Sequence, residues 1–145
     1  LGGASQSERD LQRRLLRRGF SETAADEAVA RCREAGYVDD AALAASVARR
    51  HVRHGRGSAR VVADLQRRGV ARADVDTVRE SMAVDEAAVV REMTASLLQR
   101  AASRGALDDA TLRRVAGQLQ RRGFNAAAIR TAIREYCNAA IADEG

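Results

Sequence analysis

One hexamer occurs three times in this chain: Leu15-Leu16-Arg17-Arg18-Gly19-Phe20, Leu65-Gln66-Arg67-Arg68-Gly69-Val70 and Leu119-Gln120-Arg121-Arg122-Gly123-Phe124. Its glycines stand 50 and 54 positions apart, the spacing of a tandem repeat of small units rather than of one deep core. Counted back from each glycine, position −8 holds Leu11, Val61 and Val115, and position −4 holds Leu15, Leu65 and Leu119. Apolar residues four apart mark one face of a helix. Counted forward, +1 holds Phe20, Val70 and Phe124, +6 holds Ala25, Val75 and Ile129, +9 holds Ala28, Val78 and Ala132, and +13 holds Cys32, Met82 and Tyr136. A second helix therefore follows each glycine. Ser7, Gly57 and Thr111 at −12 and Ser21, Ala71 and Asn125 at +2 stand where helices are expected to begin, and several are good caps. Glycine after an arginine pair is the expected left-handed terminator, with the arginines facing the negative end of the helix dipole.

Two copies have a further helix in front. Asp39 and Asp40 can cap a segment carrying Leu43, Ala44, Val47 and Ala48 and ending at His54-Gly55. Asp85 is expected to open a longer one carrying Val89, Val90, Met93, Leu97 and Leu98 and ending at Arg104-Gly105. Only Leu1 to Gln6 precede Ser7, so the first copy lacks this leading helix. The expectation is an all-α protein of about eight helices, an elongated tandem array of three-helix repeats divided as 1–38, 39–84 and 85–145. Composition agrees, since the chain has no Pro, only 3% aromatic residues and abundant Ala, Arg, Leu and Glu.

All 25 basic residues are Arg, and their placement says more than their number. Residues 1–73 carry net +6, residues 74–92 net −4 and residues 93–145 net +3. A polyanion partner fits this pattern. The candidates for contact are Arg13, Arg14, Arg17, Arg18, Arg49, Arg50, Arg53, Arg56, Arg60, Arg67, Arg68, Arg121 and Arg122. Any one pair reads as a solvated helix face, but recurrence before three glycine turns points to a basic track suited to phosphate or carboxylate. Base stacking is disfavoured, because Phe20, Phe124 and Tyr136 align with apolar core positions and only Tyr37 is expected to be partly exposed.

Catalytic chemistry is not signalled. The only histidines, His51 and His54, lie in an arginine-rich segment and are expected to be solvated surface residues rather than ligands or bases. Cys32 and Cys137 lack a C-x-x-C partner and are expected to be small core residues, and no glycine-rich nucleotide cradle is present. The pairs Asp39-Asp40 and Asp108-Asp109 are expected to cap helices rather than bind metal. No catalytic residue, metal or cofactor is assigned. With no basic start followed by an apolar stretch, and no apolar run of membrane length, a cytoplasmic protein is expected.

The pattern Ser7-x-x-Asp10-Leu11-x-x-x-Leu15-x-x-Arg18-Gly19-Phe20, then Gly36-Tyr37-Val38-Asp39-Asp40-x-x-Leu43-Ala44, Arg50, Gly55, Val61-x-x-Asp64-Leu65-x-x-Arg68-Gly69-Val70 and Leu119-Gln120-Arg121-Arg122-Gly123-Phe124 resembles the RecX regulatory proteins. The resemblance covers most of the chain in the family's order. Two departures stand out: Leu43 where the family commonly has an aromatic residue, and no leading helix in the first unit, as in an N-terminally truncated chain. The resemblance implies a non-catalytic protein that binds RecA filaments on DNA, in their helical groove or at their growing end. It implies suppression of ATP hydrolysis, strand exchange and coprotease activity, and so modulation of recombination and the SOS response. DNA contact would be weak and to the backbone of single or double strands. The alternative is a stand-alone DNA-binding helical module acting through its arginines.

Overall fold

The computed structural model describes residues 6–105 and 107–144. Seven helices account for nearly all of them: α1 (Glu8–Arg17), α2 (Glu22–Glu34), α3 (Asp40–Arg53), α4 (Ser58–Arg67), α5 (Arg72–Arg104), α6 (Asp109–Arg121) and α7 (Ala126–Glu144). The all-helical class is as expected, and no helix among the described residues is long and apolar enough to cross a membrane. The helix count differs because the helices expected on either side of Asp85 are one. From Arg72 to Arg104, α5 runs through 33 residues. The reason lies in the residues around Asp85: Ser81-Met82-Ala83-Val84-Asp85-Glu86-Ala87-Ala88 contains neither Gly nor Pro, so nothing terminates the preceding helix. An aspartate with good helix formers on both sides remains an interior residue. The expected absence of a leading helix in the first copy falls on residues 1–5, outside the described ones.

Capping follows the sequence closely. Ser7, Ser21, Asp39 and Asp108 accept the backbone N–H three residues on, and Asn125 accepts those of Ala127 and Ala128. Thr111, in contrast, lies inside α6, because Asp108 takes the cap. Each hexamer ends its helix at a glycine of positive φ, +97° at Gly19, +73° at Gly69 and +94° at Gly123. The next residue's N–H then bonds back to the −4 leucine carbonyl, as in Phe20 to Leu15, Val70 to Leu65 and Phe124 to Leu119, at 3.0–3.2 Å. Gly69→Val is expected to cost about 1 kcal/mol or more, because a β-branched residue is strained at positive φ. The added Cβ would also lie 2.7 Å from Arg9 Cδ. A urea melt of this variant that matches the parent would contradict the terminator role.

The chain forms two compact units. The first holds residues up to His54 and Val61–Glu80, the second Gly55–Arg60 and Ser81 onward, so α4 and α5 each contribute to both. In the first unit the buried apolar residues include Ala25, Val29, Val38, Leu43, Val47, Val61, Leu65, Val70 and Val75. In the second, Val90, Leu98, Val115, Leu119, Phe124, Ile129 and Ala132 form one cluster. The −8 and −4 positions of the second and third copies thus supply core, as their spacing predicts. Phe20 departs from its expected core role: it is 49% exposed, whereas Val70 and Phe124 are 7% and 5%. Phe124 packs in a cluster with Val90 and Leu98 of α5, and no helix among the described residues precedes α1 to cover Phe20 in the same way.

Candidate functional site: joints and arginine rows

Within each unit, one copy is clasped to the next by the same device. In the first unit Asp40, only 9% exposed, accepts Glu8 N–H at 3.0 Å through one carboxylate oxygen and Ala71 N–H at 2.9 Å through the other. It therefore sits at the start of α1 and of α5 together, where two sets of free N–H groups and two dipoles favour an anion. Beside it, the Ser7 hydroxyl donates to the Arg68 carbonyl at 2.6 Å. In the second unit Glu86, 8% exposed, plays the equivalent part. It accepts Ser58 N–H and Oγ–H at 3.4 and 2.7 Å and Asn125 N–H at 3.3 Å, joining the starts of α4 and α7. Gly57 N–H donates to the Arg122 carbonyl at 2.8 Å, as Ser7 does to Arg68. The −12 residue of one copy thus meets the carbonyl just before the glycine of the next.

Asp40 is a cap, as the sequence implies, but for helices distant in sequence rather than its own. Glu86 was not a candidate at all. Its kinship to Asp40 is hidden because Asp40 lies 29 residues before Gly69 while Glu86 lies 37 before Gly123. The available signal was an acid whose neighbours at helical spacing, Met82, Ala83, Val89 and Val90, are all apolar and none basic.

His51 corrects another expectation. It is 7% exposed, not solvated, and its Nε2 lies 2.8 Å from Asp64 Oδ2. A carboxylate can only accept, so Nε2 carries the proton. Nδ1 is buried without a hydrogen-bond partner. The expected solvated state holds for His54 alone, whose Nδ1 lies 2.8 Å from the Arg50 carbonyl. The difference follows from α3's core stripe: His51 continues Leu43, Val47 and Ala48 at helical spacing, onto the side where α4 presents Asp64. The other oxygen of Asp64 accepts from Arg67 at 2.7 Å and Arg68 at 3.0 Å. Burial pushes the Asp64 carboxyl up, but hydrogen bonds from His51 and Arg68 and the two arginine charges outweigh it and hold it at about 2, against an ordinary 3.8.

A carboxylate depressed in this way contributes stability that is complete above its unfolded pKa and is lost as pH falls through the folded one. The first unit is therefore expected to lose stability between about pH 4 and pH 2. Asp64→Asn should lower stability at neutral pH and reduce the slope in that window. Urea midpoints that fall equally with acid in variant and parent would exclude this cluster as the cause.

The thirteen candidate arginines separate into engaged and unengaged groups. In the first unit Arg68 is clamped by Asp64 with its side chain 31% exposed, while Arg67 shares that carboxylate but is 77% exposed. Arg14 donates to Gln6 Oε1 at 2.7 Å. Arg13, Arg17, Arg18, Arg49, Arg50 and Arg53 are exposed and have no acidic partner among the described residues. Helical spacing sets Arg13 above Arg17, Arg14 near Arg18 and Arg49 above Arg53. Like charges so placed cost an isolated helix about 0.2–0.5 kcal/mol a pair, which an anionic partner would relieve. In the second unit Arg60, Arg121 and Arg122 converge on the third glycine turn. Arg60 donates twice to the Arg121 carbonyl at 3.0 and 2.8 Å, satisfying the end of α6, and Arg122 reaches the Gly55 carbonyl at 3.4 Å. Arg56 is half-buried. Arg60 and Arg68 thus have structural work, while Arg13, Arg17 and Arg18 of the first hexamer's helix and Arg49, Arg50 and Arg53 on α3 have no acidic partner among the described residues. Tyr37, as expected, is exposed, at 72%.

Among the described residues no three His, Cys, Asp or Glu side chains gather as a metal would require. What the geometry defines is a tandem helical-repeat protein in which Asp40 and Glu86 join its copies and α1 and α3 carry exposed arginine rows. The chain belongs to the RecX family of regulatory proteins. Residues 39–78, which span α3, α4 and the start of α5, match the family model described as the second three-helix domain of RecX. The whole chain is 34% identical over 149 residues to the regulatory protein RecX of Streptomyces coelicolor, covering 75% of that protein. It is 35% identical over 128 residues to that of Xanthomonas campestris, with 88% of this chain and 77% of the relative covered. The fold is that of the crystal structure of RecX from Lactobacillus salivarius, with a TM-score of 0.69 at 15% identity over 90% of this chain and 85% of that one. A second RecX crystal structure gives 0.65 at 19% identity, over 90% of this chain and 64% of its own. Membership makes the chain a regulatory protein.

Proposed function

We propose that this chain regulates without catalysis, by binding RecA filaments on DNA in the cytoplasm and lowering their ATPase, strand-exchange and coprotease activities. Recombination and the SOS response would be modulated as a result. The observation that carries this reading is a RecX-family chain whose α1 and α3 display arginine rows with no acidic partner among the described residues. Such rows suit the phosphates of DNA or acidic side chains on a filament. Reversing Arg13, Arg17 and Arg18 to Glu is expected to weaken inhibition of the recombinase by about tenfold or more while leaving helix content unchanged. Arg67 and Arg68 are left in place because both donate to Asp64. Inhibition equal to the parent's would remove these residues from the site.

Exposure of Phe20 and Tyr37 supports a second reading, a stand-alone module that binds single-stranded DNA directly, its arginines on the phosphates and single bases stacked on either ring. Titrating labelled single- and double-stranded DNA with and without RecA, over a range of salt, separates the two. Regulation through the filament predicts weak, steeply salt-dependent binding to DNA alone and tight binding to the filament. Tight DNA binding that RecA leaves unchanged would favour the stand-alone module.

A further inference from the structure

The middle of α5 is almost bare. Between Ser81 and Glu92 only Met82, Glu86 and Val90 are turned inward, while Ala83, Val84, Ala87, Ala88 and Val89 are exposed, Val84 at 79% and Val89 at 40%. Ala83, Val84, Ala87 and Ala88 share one side of the helix, with Asp85 along one edge and Arg91 and Glu92 on the following turn; Asp85 and Glu92 are exposed and have no ion-pair partner among the described residues. A helix face with that many bare apolar residues marks an interaction surface rather than scattered exposure. The chain carries a face of the opposite kind at the end of α3. There Val52 is 56% exposed beside Arg49 and Arg53, which are exposed and have no acidic partner among the described residues.

We propose that copies of this chain associate with one another, the valine-and-arginine face of α3 on one copy docking on the acidic alanine-and-valine face of α5 on another. Each face offers what the other lacks: apolar surface bordered by charge of the opposite sign. Neither face suits itself. Two α3 faces would set arginine against arginine, and two α5 faces would bring together acids with only Arg91 between them. The pairing therefore sets an α3 face against an α5 face rather than either against its own kind.

The test is sedimentation velocity over a range of protein concentration at low and high salt. The parent is expected to associate with rising concentration and to dissociate in high salt. The Asp85→Arg/Glu92→Arg variant and the Arg49→Glu/Arg53→Glu variant should each lose association by about tenfold or more, and equimolar mixing should restore it, since every contact between the two is again of opposite charge. All four positions are exposed, and circular dichroism confirms that each variant is folded. A parent that stays monomeric at every concentration in low salt would overturn the proposal, as would a pair of reversals that leaves association untouched. Loss of recombinase inhibition in the α5 variant of a strictly monomeric chain would also overturn it, and would assign that face to the recombinase.

Discussion

Glu86→Ala is expected to lower the stability of the chain by about 2–4 kcal/mol, and Asp40→Ala by a similar amount, through the loss of two helix starts at once. Alanine at 86 leaves the N–H of Ser58, the N–H of Asn125 and the Ser58 hydroxyl without the acceptor they share. Alanine at 40 leaves Glu8 and Ala71 N–H likewise. The carboxylates themselves are buried and their bonds partly so, so the cost of an unmade bond is felt more fully than at a surface cap. The signature is specific, because Glu86→Gln and Asp40→Asn each retain one accepting oxygen and should recover about half of the loss. Urea denaturation measures all four variants. A loss below about 0.5 kcal/mol for either alanine, the size of an ordinary surface change, would contradict the joint.

Gly57→Ala is expected to cost about 2–3 kcal/mol even though a single methyl is added. Its Cβ would lie 2.5 Å from the Gly123 oxygen, 2.6 Å from the Gly123 carbon and 2.7 Å from Phe124 Cα. These are backbone atoms of the third glycine turn, which is pinned by Gly57 N–H on the Arg122 carbonyl and Ala59 N–H on the Gly123 carbonyl, so it cannot step aside without breaking its bonds. Gly19→Ala is the control: nothing lies within 4 Å of the added carbon, and only the positive φ of +97° is strained. That change should cost about 1 kcal/mol. Equal thermal melts for the two variants would argue that the clasp is not close-packed.

The repeat told most of the architecture. Leucines at −4 and glycines at the turn are readable because each obeys a local rule, helical spacing or a positive φ. Asp39, Asp108, Ser7 and Ser21 cap for the same reason, with a partner three residues away. The misses share a different cause, a partner distant in sequence. His51 looked solvated beside Arg50 and Arg53, yet its fate is decided by Asp64 on the next helix. Glu86 looked like one acid of a charged run, and only folding brings Ser58 and Asn125 to it. Phe20 matched Phe124 by position and failed by environment, since a side chain is buried only where something covers it. Asp85 carried a cap residue's identity without the terminator before it that a new helix requires. Among the arginines, sequence found the rows but could not tell Arg60, spent on the Arg121 carbonyl, from Arg17, which is unoccupied.

The central claim, that this RecX chain regulates a recombinase through its filament, is tested most directly by the ATPase of the cognate RecA on single-stranded DNA. Added to assembled filaments, the chain is expected to reduce the rate of ATP hydrolysis in a concentration-dependent way, at concentrations where it leaves naked DNA largely unbound. A rate unchanged at saturating chain, or a reduction only where the chain already coats the DNA, would contradict it.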